Sequence, residues 1–438
     1  MINRYNEYLQ TLKKGARKIS RLEFLQPDDS VAFFLDGNSR RPVRGKYDSR
    51  AFLQDGSLNV SLQNGTRRSA NIVLSNIDGA FDYNVNNIWF GRRVRLSKGI
   101  ILDDGTEFYL PQGTFYLKNP TAALSHDTNT MSFELVDKWA YLDGSLLGTL
   151  ENTYQVNIGT NIFNAIASIL RLSKYSYASG NFPMEWMIDP VAPVFTSYYN
   201  GKTYLAARGD GSVSENVQMT AVPFTISESG GSSFAQIILA LNDCIAGLIG
   251  YDATGALRIE PSQDDVDDSA KPVLWDFSTN ENMLFSISET WANADVKNDV
   301  IVAGEGATGH AVYGRATNRD PKSDTNINII GRKLYREDKA EYWNADQCVA
   351  LAKYYLKRKS VLQKTVTLET DQIFHLHENR LISVRREDKA GHPVERHLIQ
   401  GFTLPLGETG AMSINAVSVN DYPQISVTAS TDFTGGKS

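Results

Sequence analysis

The chain has 438 residues, of which 42% are apolar, 10% aromatic and 21% charged, with a formal net charge of −6 and a pI near 5.6. That length calls for more than one core, and the charge content is too low for a disordered chain. The acidic balance speaks against a reader of duplex DNA, which needs clustered Lys and Arg against phosphates.

The N-terminal stretch MINRYNEYLQTLKKGARK lacks the apolar run of a signal peptide. Tyr5, Leu9 and Leu12 stand at helical spacing, and Lys13, Lys14 and Gly15 suit a helix C-terminus, so residues 1–29 are expected to be a helix and arm. The stripe is narrow and leaves two outcomes open, a solvated surface helix or docking on a partner. Residues 30–145 read as strand after strand: SANIVLSNIDG, RRVRLSKG, TEFYLPQGTFYLKN and NTMSFELVD, separated by Gly, Asn and Asp turns. A first β-barrel is expected there.

Residues 146–285 change character and are expected to form an inserted α+β domain. Ile162, Ile166, Ile169 and Leu170 mark one helix. A stronger stripe, Phe234, Ile237, Ile238, Leu241, Ile245 and Leu248, predicts a helix from Phe234 to Ile249, with a Ser233–Gln236 capping box and Gly250 as its stop. YDATGALRIEP then reads as strand, turn, strand. Between the helices, residues 175–225 lack periodicity and carry Phe182, Trp186, Phe195, Tyr198, Tyr199 and Tyr204. Loops of that length are often functional, so these aromatics are candidate partner-binding residues.

Residues 286–425 return to strands, with one helix whose apolar side is Cys348, Leu351 and Tyr355 beside Val349, Ala352 and Leu356, capped by Asn344 and Gln347. Residues 426–438 read as a flexible tail. Cys244 and Cys348 fall within predicted helices and are expected as buried free thiols. No window approaches the ~18 apolar residues of a membrane span.

A weak repeat joins the two strand-rich regions. Val94 and Gln112 lie 18 residues apart, as do Ile382 and Gln400, an offset of 288. TMSFELVD follows one Gln-Gly strand and AMSINAVSV the other. The reading is a duplicated β-domain.

The stretch NDVIVAGEGATGHAV holds Gly304, Gly306 and Gly309 in the G-x-G-x-x-G spacing of a dinucleotide site. Such a site needs a helix to follow, and HAVYGRATNRDP has no helical stripe, so a hairpin is expected instead. His375 and His377, with His392 and His397 downstream, are expected as exposed strand histidines rather than metal ligands. The DDVDD run at 264–268 lacks the glycine and glutamate of a calcium loop, and Arg208-Gly209-Asp210 reads as a turn. No nucleophile elbow, zinc motif or phosphate loop is present, so no catalytic, cofactor or metal residue is assigned and no enzyme is expected.

A broader pattern spans residues 314–385: Asn318, Pro321 and Ser323, then Ile330-Gly331, a helix, and a β meander. Earlier, TRRSANIVLSNIDGAF, then Trp89 and Gly91, VRLSKG and GTFYL occur in the same sense. In that order these elements resemble central hub proteins of bacteriophage tail tips and baseplates. The resemblance implies a mainly β fold with an α+β insertion: two similar, tube-like β-barrel domains plus a mixed α/β domain. It implies a homotrimer that joins a hexameric tail tube to a trimeric spike or tip, contacts distal tail or baseplate proteins, and carries DNA only as transient cargo in its lumen. The expected location is the virion tail, assembled in the host cytoplasm, without stable membrane association. No fibre or hydrolase region is visible, so cell-wall degradation is not expected. The alternative is a receptor- or carbohydrate-binding tail-tip protein that uses the aromatic segment 182–204.

Overall fold

The computed structural model describes the chain apart from residues 1, 27–28, 38–45, 49–51, 78, 85–87, 90–91, 172–188, 190–192, 196–197, 200–201, 204–220, 223, 246, 261, 264–271, 293, 306–310, 341, 343–344, 386–393, 420–426 and 431–438. Helix α1 (Ile2–Lys13) leads into β1 (Lys18–Leu25). Then come β2 (Leu53–Ser61), β3 (Arg68–Ser75), β4 (Arg93–Ile101), β5 (Glu107–Leu124) and β6 (Asn129–Asp137). The insertion follows, with α2 (Ile162–Leu170), α3 (Phe234–Ile245) and the hairpin of Leu248–Tyr251 with Leu257–Glu260. After it lie β7 (Val273–Asp276), β8 (Leu284–Ala292) and α4 (Ala345–Lys359). The last strands of this series are β9 (Gln363–Thr370), β10 (Leu381–Val384), β11 (Glu395–Pro405) and β12 (Met412–Ser418).

One large sheet carries most of these strands, in the order β8-β9-β12-β11-β2-β3-β6-β5-β4-β1, then Val31–Asp36 and Lys46–Asp48, with β10 on β11 and β7 on β10. Burial alternates along β9 and β12, as a strand with one face on a core requires. A single apolar cluster gathers Leu58, Ile72, Phe115 and Phe133 from the front with Leu368, Ile399, Phe402 and Ile414 from the back. The insertion has its own core of Ile162, Ile166, Phe234, Ile238, Leu241 and Leu257. The fold is therefore mainly β with an α+β insertion.

Several boundaries differ from the sequence reading. β1 pairs with β4, so the large sheet begins before residue 30, and β7 pairs with β10, so the second half begins before residue 286. Asp299–Gly304, Val312–Asn318, Leu334–Asp338 and Val427–Ser430 form a separate four-stranded sheet, covered by α4 over Val300, Val302 and Ala316, so the expected flexible tail begins with a strand that pairs with Arg315–Asn318. Helix α3 stops at Ile245, and Leu248 and Ile249 lie in a strand. The stop is local: Asn242 Nδ2 donates to the Gly247 carbonyl at 2.8 Å, and a Cβ at Gly247 would meet Asn242 Oδ1 at 2.7 Å. Gly250, expected as the helix stop, is a strand residue lying on Arg67, whose Cδ would sit 2.3 Å from any Cβ there. Gln347 donates to the Cys244 carbonyl at 3.1 Å, while Asn344 lies outside the described residues. Both cysteines are buried, and no disulfide joins them. Among the described residues no helix is long and apolar enough to cross a membrane.

Candidate functional site: two modules and the seam between them

Numbered along the chain, β2, β3, β4, β5 and β6 stand in space as 1-2-5-4-3. β8, β9, β10, β11 and β12 stand in the same order. The registers agree as well. Ile72 faces Phe133 and Leu74 faces Met131 in the first module; Leu368 faces Ile414 and Thr370 faces Met412 in the second. Leu53 opposite Leu74 is followed by a one-residue bulge in β2, and Leu284 opposite Thr370 by the same bulge in β8. Bulges are specific features of a strand pair, and one shared at an equivalent site marks a repeated design.

The predicted offset of 288 holds for one landmark and fails for the other. Val94 faces Phe115 and Ile382 faces His397, and these are equivalent pairs. The second hairpin is thus six residues shorter than the first. Through their pairing with β6 and β12, Leu117 matches Ile399 and Thr121 matches Thr403, so Gln112 and Gln400 are not counterparts. Both are bulge residues that precede a glycine, one against β4 and the other against β12. Like sequence arose there from like local demand. The sixth strands also differ, since β1 meets β4 antiparallel whereas β7 meets β10 in parallel.

The modules are joined by a strand that changes partner. β11 pairs with β10 through Leu398 and then with β2 from Gly401 to Pro405, placing Phe402 opposite Val60 and Leu404 opposite Leu58. Gly401 is needed at the crossing, where a Cβ would approach the Val60 carbonyl oxygen to 2.4 Å. Buried polar groups hold the end of β11. Lys98 Nζ donates to the carbonyls of Leu406 at 2.8 Å and Gly407 at 2.6 Å, and Ser20 Oγ donates to Leu406 O at 2.5 Å. Burial, with Lys18 nearby, pushes Lys98 down to about 7 against the pull of Glu408.

A buried ion pair crosses the same seam. Arg68 Nη2 donates to Glu378 Oε2 at 2.6 Å, Arg68 Nη1 to Gln112 O at 3.1 Å, and Gln112 Nε2 to Phe374 O at 2.9 Å. Burial alone would raise Glu378, but Arg68 and Arg67 hold it below the usual carboxylate range. Asp137 accepts from the backbone of Arg67, Arg68 and Trp139, yet burial outweighs those donors and pushes it up to about 6. α1 clasps the joint from outside: Tyr8 stacks on Phe108 of β5 and meets Phe374, and its hydroxyl lies 3.1 Å from His375 Nδ1. The helix docks on its own chain, which is neither the solvated surface helix nor the partner contact that its narrow stripe suggested.

The sequence-predicted candidates scatter. Phe182, Trp186 and Tyr204 lie outside the described residues. Phe195 pairs in parallel with Ile259, and Tyr198 and Tyr199 face Thr203 and Lys202 in a small hairpin; the side chains of these three lie outside the described residues. Residues 264–268 and 208–210 are likewise outside them, as are Gly306, Gly309 and His392. The strand ending at Gly304 returns as an antiparallel strand from Val312, so a strand rather than a helix follows the glycines. Gly304 and Gly314 serve packing: a Cβ would meet Tyr342 O at 2.1 Å and the Cys348 backbone at 2.2 Å. Asn318 and Ser323, singled out by their spacing, close their turn through Asn318 Nδ2 to Ser323 Oγ at 2.8 Å. His375 and His397 are buried rather than exposed, and His375 sits in a turn instead of a strand. No group of three or more His, Cys, Asp or Glu among the described residues is placed to hold a metal ion. Lys98, Arg68 and Glu378 escaped the sequence reading, because nothing local distinguishes a charge that will be buried.

No family model matches the chain, and no curated protein sequence does. By structure it is similar to the tail protein from Neisseria meningitidis MC58, with a TM-score of 0.56 and 10% identity over 93% of this chain and 100% of that one. It is also similar to the 43 kDa tail protein of prophage MuSo2 from Shewanella oneidensis, with a TM-score of 0.53 and 13% identity over 91% and 98%. The fold is that of phage-type tail proteins. At these identities the likeness is one of architecture, carried over nearly the full length of both molecules.

Proposed function

We propose that this chain is a structural hub of a bacteriophage tail tip or baseplate. In this reading it is a homotrimeric adaptor between a hexameric tail tube and a trimeric spike or tip, and DNA passes through its centre during ejection. It is a virion component assembled in the host cytoplasm, and it works by shape rather than catalysis. The observation that carries the reading is the pair of modules with one strand order and one register in a single polypeptide. A six-fold ring can meet a three-fold object when each subunit offers two like surfaces, because three copies then present six. The net charge of −6 suits a lumen through which DNA must slide without adhering.

The test is to mix the purified full chain with the tube protein of its own particle, then to weigh the complex and view it end-on by electron microscopy. A three-copy ring with six similar lobes, seated on the tube end, is expected. A chain that stays monomeric and ignores the tube protein would overturn the hub.

A further inference from the structure

Among the described residues the seam inside the chain has no twin within the same molecule. The outer edge of β2 is covered by β11. The outer edge of its counterpart β8 ends the large sheet, and no described strand pairs with it. In the same way β11 gives its second half to β2, whereas its counterpart β5 leaves β4 at Tyr116. From Lys118 to Leu124, β5 pairs with β6 on one side, and no described strand pairs with the other. Side chains record the same gap. Val60 is 4% exposed beneath β11, and its counterpart Trp291 is 51% exposed. Leu406 is 1% exposed, and its counterpart Leu124 is 79% exposed. Apolar groups buried at one joint stand in solvent at the other.

We propose that the free half of β5 in one copy adds as a strand to the free edge of β8 in the next, in the register that β11 makes with β2. The proposal rests on the hub reading and names the contact that closes its ring. Transferred to the new joint, that register sets Thr121 opposite Thr290, Ala122 opposite Glu289 and Ala123 opposite Ser288. Pro120 then meets Trp291 where Phe402 meets Val60 at the seam, so a small ring faces a large one with the sizes exchanged. Leu124 comes over Ile287 as Leu406 comes over Gly56, to whose carbonyl its N–H donates at 2.9 Å. Pro120 has no N–H, so this ladder holds one donor fewer than the seam. A proline on an exposed edge also restrains indiscriminate pairing before the ring assembles. Each joint would bring the fourth strand of one module to the first strand of the other, a head-to-tail contact of the kind that generates rings.

The ladder bonds of the seam flank Thr403 and Asn59, which face each other between them. Cα atoms come closest at such a pair, so its counterpart is suited to a cross-strand disulfide. The experiment uses the full chain carrying T121C with T290C; Cys244 and Cys348 are buried. Mild oxidation is expected to give a covalent species of three times the chain mass, and an equal mixture of the two single variants to give covalent dimers. T121C with S286C, on the same face but out of register, is expected to stay unlinked. In parallel, L124D is expected to turn a trimer seen by sedimentation into a monomer with an unchanged far-ultraviolet spectrum. A sedimenting trimer that does not link through T121C and T290C, that links only through S286C, or that survives L124D, overturns this joint and leaves the hub standing. A monomer that neither links nor joins the tube protein overturns both.

Discussion

The residues that matter most are ordinary in type and unusual in placement. Arg68 and Glu378 are 310 positions apart, buried, and joined at 2.6 Å. Removing one partner of such a pair leaves an uncompensated charge, which typically costs about 3–5 kcal/mol, so the pair fixes how the modules meet even if it adds little net stability. The histidines make a prediction in pH. Burial pushes His375 down to about 3, and His377 and His397 down to about 4. An unfolded histidine titrates near 6.5, so the folded state binds fewer protons than the unfolded one between about pH 4 and 6.5. The neutral rings contribute fully above that window, and their contribution is lost as pH falls through it. Urea midpoints are therefore expected to drop steadily from pH 7 to pH 4.5, and H375Q to show a shallower fall. A flat profile would contradict the burial of these rings.

At the scale of elements, the helices and strands were largely legible. Periodicity of 3.6 placed α2, α4 and the body of α3, and alternation placed β6 and β12, because those patterns are what one buried face imposes. The end of α3 was not legible, since Leu248 continues the apolar stripe and only the Asn242 side chain and the pairing of Leu248 with Glu260 decide otherwise. The Gln-Gly repeat misled for a related reason: a bulge wants a glycine wherever it lies, so Gly113 and Gly401 announce a bulge without saying against which neighbour. α1 shows the limit most clearly. Its stripe was readable, but its site on Phe108 and Phe374 needs two distant segments to have met first. Tyr8 is fully buried, and Y8A is expected to cost about 3–5 kcal/mol, the usual loss for a buried aromatic cut to alanine. Limited proteolysis should then cut within the first 17 residues faster than in the parent chain; equal rates would mean that the helix does not clasp the joint.

For the whole molecule, one apolar core runs through both modules while the insertion keeps a separate one. Units that share a core unfold together, and units with separate cores need not. Amide exchange is expected to release Ile72 and Phe133 at the same denaturant concentration as Leu368 and Ile414, with Ile166 and Ile238 free to differ. Separate release of the two modules would show that the seam is a contact between independent domains. A charge balance summed over the chain says little about the seam, because the charged groups there, Arg68, Lys98 and Glu378, are buried.

Sequence by itself determined the class of most elements, though not of Lys18–Leu25 or Leu248–Tyr251, together with the presence of a repeated β meander, the interruption by an α+β unit and the hairpin nature of the glycine stretch. All of these rest on patterns within a span of some twenty residues, where chain geometry dictates which side chains share a face. The tertiary structure alone decided which repeat landmarks are true counterparts, where α1 docks, which charges are buried, and which two strand edges no described strand covers. Those depend on pairings between segments hundreds of residues apart, and a backbone edge carries no mark in the sequence to say whether another strand will cover it.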